Sequence, residues 1–127
     1  MPSPAKILLV DDNEQNLELL EAYLEELGAA IGTATNGLEA LRAVEAEKPD
    51  LILLDVMMPR MSGFQLCSRL KRAPATKDIA VMMVTALNEV NDAQRAAECG
   101  ADDFLTKPVN KADLLARVRA LLAARAK

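Results

Sequence analysis

The sequence predicts a doubly wound α/β domain, a five-stranded parallel sheet with helices on both faces. Two observations predict it. Short apolar runs alternate with amphipathic segments along the whole chain, and strand–helix alternation of this kind builds parallel sheets. The runs are also apolar at nearly every position, which suits strands covered on both sides.

The elements follow in order. KILLV (6–10) is the first strand, and Leu17, Leu20, Leu24 and Leu27 then recur at helical spacing up to Gly28, a stop signal. AIGTAT (30–35) is a weaker strand, and Leu38, Leu41 and Val44 mark a second helix that ends before Pro49. LILLD (51–55) is the strongest buried strand, and after the turn residues Pro59 and Gly63 a third helix carries Phe64, Cys67 and Leu70. IAVMMVT (79–85) is the fourth strand, and residues 89–99 form a fourth helix with an alanine-rich face before Gly100. DFLT (103–106) is a short fifth strand. Asn110 reads as an N-cap with Asp113 three residues on, opening a last helix through Leu114, Val118 and Leu121.

Composition narrows the function. The 127 residues suit one domain, and 51% hydrophobic with 27% charged residues indicates a folded chain. The net charge of −4 without a Lys/Arg block argues against direct nucleic-acid binding. No apolar stretch approaches the ~20 residues needed to span a membrane, and MPSPAK lacks a signal-peptide core. Cys67 and Cys99 read as reduced, structural residues of a cytoplasmic protein. Histidine is absent, which removes Ser/His/Asp and Cys/His catalysis. Any relay through imidazole must use a partner's residue.

The informative residues stand where strands end. The first strand ends at Asp11-Asp12, the third at Asp55 and the fourth at Thr85, and Lys107-Pro108 follows the fifth. In a doubly wound sheet, ligands gather outside these carboxyl ends. Each residue alone has a plain structural reading, because an Asp at a strand end often only caps a helix. Their convergence on one sheet edge is the signal. Three carboxylates side by side repel one another, and a divalent cation relieves that. Mg²⁺, for which Mn²⁺ can stand in, takes hard oxygen ligands and keeps several waters. Asp12 and Asp55 are the expected direct ligands, Asp11 acts directly or through water, and the backbone carbonyl of Met57 is within reach. A carboxylate is also a nucleophile toward phosphorus, and phosphoryl transfer mainly needs positioning and charge neutralisation. Lys107 and the Thr85 hydroxyl are suited to that task.

ILLVDDN (7–13), LILLDVMMPRMSG (51–63), VTA (84–86) and GADDFLTKP (100–108) carry a resemblance to the receiver domains of bacterial two-component response regulators. It covers nearly the whole chain. It implies a (βα)5 flavodoxin-like fold with strand order 2-1-3-4-5 and a single receiver domain over 1–127, either stand-alone or the front of a longer regulator. By similarity, Asp55 is the phosphoacceptor, Asp11 and Asp12 are the acidic metal pair, and Met57 lends its main-chain oxygen. Thr85 is the switch hydroxyl, Phe104 the switch aromatic and Lys107 the conserved-type lysine, with a cis bond to Pro108. The implied donor is a phosphohistidine on a sensor histidine kinase or histidine phosphotransfer protein, which suits a chain without histidine. The implied output face comprises the fourth helix, fifth strand and fifth helix. It would act on a downstream protein or a fused output domain. Asp102, Asp103, Lys111, Arg117 and Arg119 are candidates to pair across a twofold axis there, giving a homodimer.

Two other functional classes match the sequence less well. A Mg²⁺-dependent phosphatase with an Asp nucleophile would need Asp-x-Asp after the first strand, where this chain has Asp11-Asp12-Asn13. A pseudo-receiver that is never phosphorylated would not need the intact acidic set and Lys107. Within the family, polar side chains two residues after the phosphoacceptor and the switch hydroxyl orient the hydrolytic water. Here Met57 and Leu87 stand at those positions. Slow self-dephosphorylation is therefore expected, and Met57→Asn should change the rate of phosphoryl loss. An unchanged lifetime of the modified protein would count against this assignment.

Overall fold

The computed structural model describes residues 5–56, 58, 60–86, 94–95 and 97–125. The strands are β1 (Lys6–Val10), β2 (Ala30–Ala34), β3 (Leu51–Leu54), β4 (Ala80–Thr85) and β5 (Asp103–Thr106). They form one parallel sheet in the order β2-β1-β3-β4-β5, as expected. The helices are α1 (Glu14–Leu24), α2 (Gly37–Ala46), α3 (Gly63–Arg72) and α4 (Lys111–Arg125), the C-terminal helix. A single 3-10 turn, Glu25–Leu27, extends α1. The expected helix over 89–99 falls largely outside the described residues, of which 94, 95, 97 and 98 are helical.

Strand side chains alternate between the two faces of the sheet, so each fully apolar strand feeds two cores. Ile7, Leu9, Leu51, Leu53, Met82, Val84 and Leu105 face α1 and α4, meeting Leu17, Leu20, Leu24, Leu114 and Val118. Leu8, Val10, Ile52, Leu54, Val81 and Met83 face α2 and α3, meeting Ala40, Val44, Phe64, Cys67 and Leu70. All of LILL is buried, as its pattern predicts. Slipping β3 by one residue would exchange its two faces.

Local signals set the element ends. The Asn13 side chain accepts from the N–H groups of Gln15 and Asn16 and starts α1. Gly28, at φ 68°, ends the 3-10 turn in the left-handed region that glycine adopts without strain. Ser62 and Gln65 form a reciprocal capping box at α3. Asn110 accepts from the Asp113 N–H at 3.0 Å, while the Asp113 carboxylate takes Arg117 at 3.0 Å. The expected strands at 30–35, 51–55 and 79–85 are each one residue shorter in the structure.

Leu38 departs from expectation. Its spacing predicts the apolar face of the second helix, yet it is 55% exposed. α2 docks through Gly37, Ala40 and Val44 instead. A Cβ at residue 37 would come within 2.7 Å of the Met61 sulfur, so the helix approaches by its smallest side chain. The five charges considered for a twofold interface all have partners within the chain. Asp103 pairs with Arg117, Lys111 and Arg119 with Glu26, and Asp102 with Lys71. No described helix is long and apolar enough to cross a membrane.

Asp102 also ties the edge of the sheet together. Its carboxylate accepts from the buried Val81 N–H and from Lys71 Nζ, both at 2.8 Å. Asp102→Ala leaves a buried amide without its partner and should cost about 1–3 kcal/mol, read by chemical denaturation.

Candidate functional site: an acidic cleft at the carboxyl edge of the sheet

β1 and β3 are neighbours in register, with Val10 beside Leu54, so the residues that follow them emerge side by side. These are Asp11 and Asp55. Both are buried, and Asp12 is exposed beside them. One oxygen from each of Asp11, Asp12 and Asp55 lies within 4.8 Å of the others. Oxygens on opposite sides of a Mg²⁺ ion stand ~4 Å apart, so this all-oxygen set fits a hard divalent cation after small side-chain adjustments.

A lone buried carboxylate is costly unless donors surround it. Asp11 Oδ1 accepts from the Asn13 N–H at 2.9 Å, and Oδ2 accepts from Asn16 Nδ2 at 3.2 Å and Lys107 Nζ at 3.0 Å. Lys107 stands 3.9 Å from Asp55 Oδ1. Its tighter partner is Asp11. The Lys107–Pro108 bond is cis, as expected.

Thr85 closes β4 opposite Thr106 in the register, and its side chain lies outside the description. Met57, expected to offer its carbonyl, lies outside the described residues, as does Leu87. Phe104 is half-buried against the core shared by α2 and α3, and its register partner is Met83. Burial pushes the Cys67 thiol up, so it stays protonated and inert. Cys67 and Cys99 are not disulfide-bonded, in line with the reading of the sequence.

The cleft has a volume of about 740 Å³, and its lining includes the three carboxylates, Asn16, Phe64 and Arg95. Sequence reasoning missed several of these residues. Asn16 offers no signal of its own, because its role depends on α1 starting at Asn13. Arg95 stacks on the Phe64 ring, 4.3 Å from its centroid, a contact between residues far apart in sequence. Gly63 read only as a turn residue. A Cβ there would overlap the Asp55 carbonyl oxygen and come 2.9 Å from Val56 Cα. The Gly63 N–H also donates to the Val56 carbonyl at 3.0 Å. This glycine lets α3 start directly against the backbone that carries Asp55.

A family model described as the response regulator receiver domain matches residues 7–119. The chain belongs to the response regulator receiver family. Response regulator PleD of Caulobacter vibrioides is 49% identical over 117 residues, 92% of this chain and 26% of its own length. The alkaline phosphatase synthesis transcriptional regulatory protein PhoP of Bacillus subtilis is 44% identical, covering 92% of this chain and 48% of its own length. This receiver therefore spans about a quarter to a half of these relatives. Among solved structures, the signal receiver domain of a signal transduction histidine kinase from Syntrophus aciditrophicus matches with TM-score 0.88 at 42% identity. That match covers 94% of this chain and 91% of the other. The receiver is thus a regulatory module of two-component signalling, with an acidic cluster able to hold a metal.

Gly63→Ala should force α3 away from the Asp55–Val56 backbone. The expected outcome is a loss of about 1–3 kcal/mol in thermal or chemical unfolding. Weaker binding of Mn²⁺ or Mg²⁺ by titration should accompany it.

Proposed function

We propose that this receiver is a phosphorylation-controlled switch in which Asp55 accepts a phosphoryl group from a phosphohistidine donor. The donor is a sensor histidine kinase or a histidine phosphotransfer protein, and the place of action is the cytoplasm. The observation that carries the reading is the Lys107 ammonium between two buried carboxylates, 3.0 Å from Asp11 and 3.9 Å from Asp55, beside the exposed Asp12.

An Asp55 carboxylate oxygen attacks phosphorus and forms the new P–O bond. The P–N bond of the donor breaks, and its electron pair stays on nitrogen. With a proton on its other ring nitrogen, the donor imidazole leaves neutral. Mg²⁺ held by Asp11, Asp12, Asp55 and the Met57 carbonyl would neutralise charge on the phosphoryl oxygens. Lys107 holds Asp11 in place and offers its ammonium to the incoming group. The Thr85 hydroxyl donates to a phosphoryl oxygen.

The modified Asp55 carries two negative charges where one stood. Drawing Thr85 toward it shifts the end of β4, and β5 lies alongside. Phe104 sits in β5, half-buried, and turns in response. The surface formed by residues 89–99, β5 and α4 then changes shape for a downstream protein or fused output domain. A homodimer through this surface would exchange the Asp103–Arg117 pair within each chain for the same pair between chains. The receiver is one domain over 1–127 in this reading, alone or at the front of a longer regulator.

Incubation with a small-molecule phosphodonor and Mg²⁺ should add the mass of one phosphoryl group. The adduct should be absent in Asp55→Ala and after chelation of the metal, and Lys107→Ala should lower its rate of formation roughly 10-fold or more. Many turnovers of donor without an adduct would identify a phosphatase. Neither adduct nor turnover would identify a pseudo-receiver.

A further inference from the structure

We infer that Arg95 is a second cation of the phosphoryl site, a guanidinium held on the Phe64 ring at the acidic cleft, where it offsets the charge that a phosphoryl group adds. The inference rests on the reading of Asp55 as phosphoacceptor.

Charge arithmetic motivates it. Asp11, Asp12 and Asp55 bring three negative charges, and Lys107 brings one positive. A divalent cation brings the set to neutrality. Turning the Asp55 carboxylate into a dianionic acyl phosphate leaves one negative charge uncompensated. Lys107 cannot supply more, because its single positive charge is already in the sum. Arg95 is the cation among the described residues that line the cleft.

The stacking gives that cation a fixed position. Phe64 is 7% exposed and sits in the first turn of α3, anchored in the core shared with α2. The Arg95 Cζ lies 4.3 Å from its ring centroid. A guanidinium stacked on a ring spends its face on the ring and keeps its N–H edge for acceptors such as phosphate oxygens. Among the described residues, no carboxylate forms an ion pair with Arg95. The cleft therefore presents a pre-placed donor fork to an arriving phosphoryl group. Arg95 belongs to the helical residues between β4 and β5. Its contact would tie that part of the chain to the state of Asp55.

The transfer used as the test is simple. An Asp55 oxygen bonds phosphorus, and the donor's bond to phosphorus breaks with its electron pair on the leaving group. Acetyl phosphate releases acetate, and phosphoramidate, its nitrogen protonated, releases ammonia; both leave the same dianionic acyl phosphate on Asp55. Arg95→Gln should slow modification by each donor about threefold, the size of a partly exposed cation's contribution. Arg95→Lys, which keeps the charge, should recover most of the rate. Phe64→Leu, which removes the ring but keeps an apolar side chain, should slow both donors in the same direction. A lowered unfolding midpoint or weakened Mn²⁺ binding in Arg95→Gln would trace the slowing to the fold, and that result overturns the inference. Equal rates for Arg95→Gln and wild type on both donors overturn it too, with Asp55 still standing as acceptor. A wild-type chain that takes no phosphoryl group from either donor overturns both readings.

Discussion

The buried Asp11 carboxylate is the constraint on which the site depends. It follows β1, an inner strand of the sheet, and is almost fully buried. Its charge is tolerable only because a main-chain amide, a side-chain amide and an ammonium converge on it. Each donor comes from a different layer of organisation. The Asn13 amide is local, Asn16 is one helical turn further on, and Lys107 follows β5. β3 and β4 lie between β1 and β5 in the sheet, so the loop after β5 and the long aliphatic stem of Lys107 together bring its ammonium to Asp11.

That reach explains why the site is both rigid and chargeable. The Lys107 ammonium is shared unequally, close to Asp11 and further from Asp55. Asp11 is thereby the anchored carboxylate. Asp55 stands within the field of the same ammonium without being its tighter partner. A phosphoacceptor, the role proposed for Asp55, is better placed in that second position. The exposed Asp12 gives a cation an approach from solvent.

The scaffold beneath is stiff because the central strands β1 and β3 are buried on both faces. Odd residues of β1 and β3 pack toward α1 and α4, and even residues pack toward α2 and α3. Neither strand can shift without moving apolar side chains from one core to the other. The backbone around Asp55 is confined further by Gly63, which removes the side chain that would hold α3 away. In the proposed switch, adjustment falls on parts less deeply packed. β5 is one of them, since it lies at the sheet edge and its Phe104 is only half-buried.

Much of this was readable in the linear chain. Strand and helix positions follow from apolar periodicity, which reports burial on one face or two. The placement of Asp11, Asp12, Asp55 and Lys107 at strand ends follows from the same pattern, because a parallel sheet delivers all its carboxyl ends to one edge. Pairwise contacts between distant residues were not readable. The tighter bond of Lys107 to Asp11, the amide of Asn16, the docking of α2 through Gly37 rather than Leu38, and the stacking of Arg95 on Phe64 depend on helix rotation and side-chain reach. Periodicity encodes which face is buried. Which side chains meet across space is decided by packing, which only the folded chain carries out.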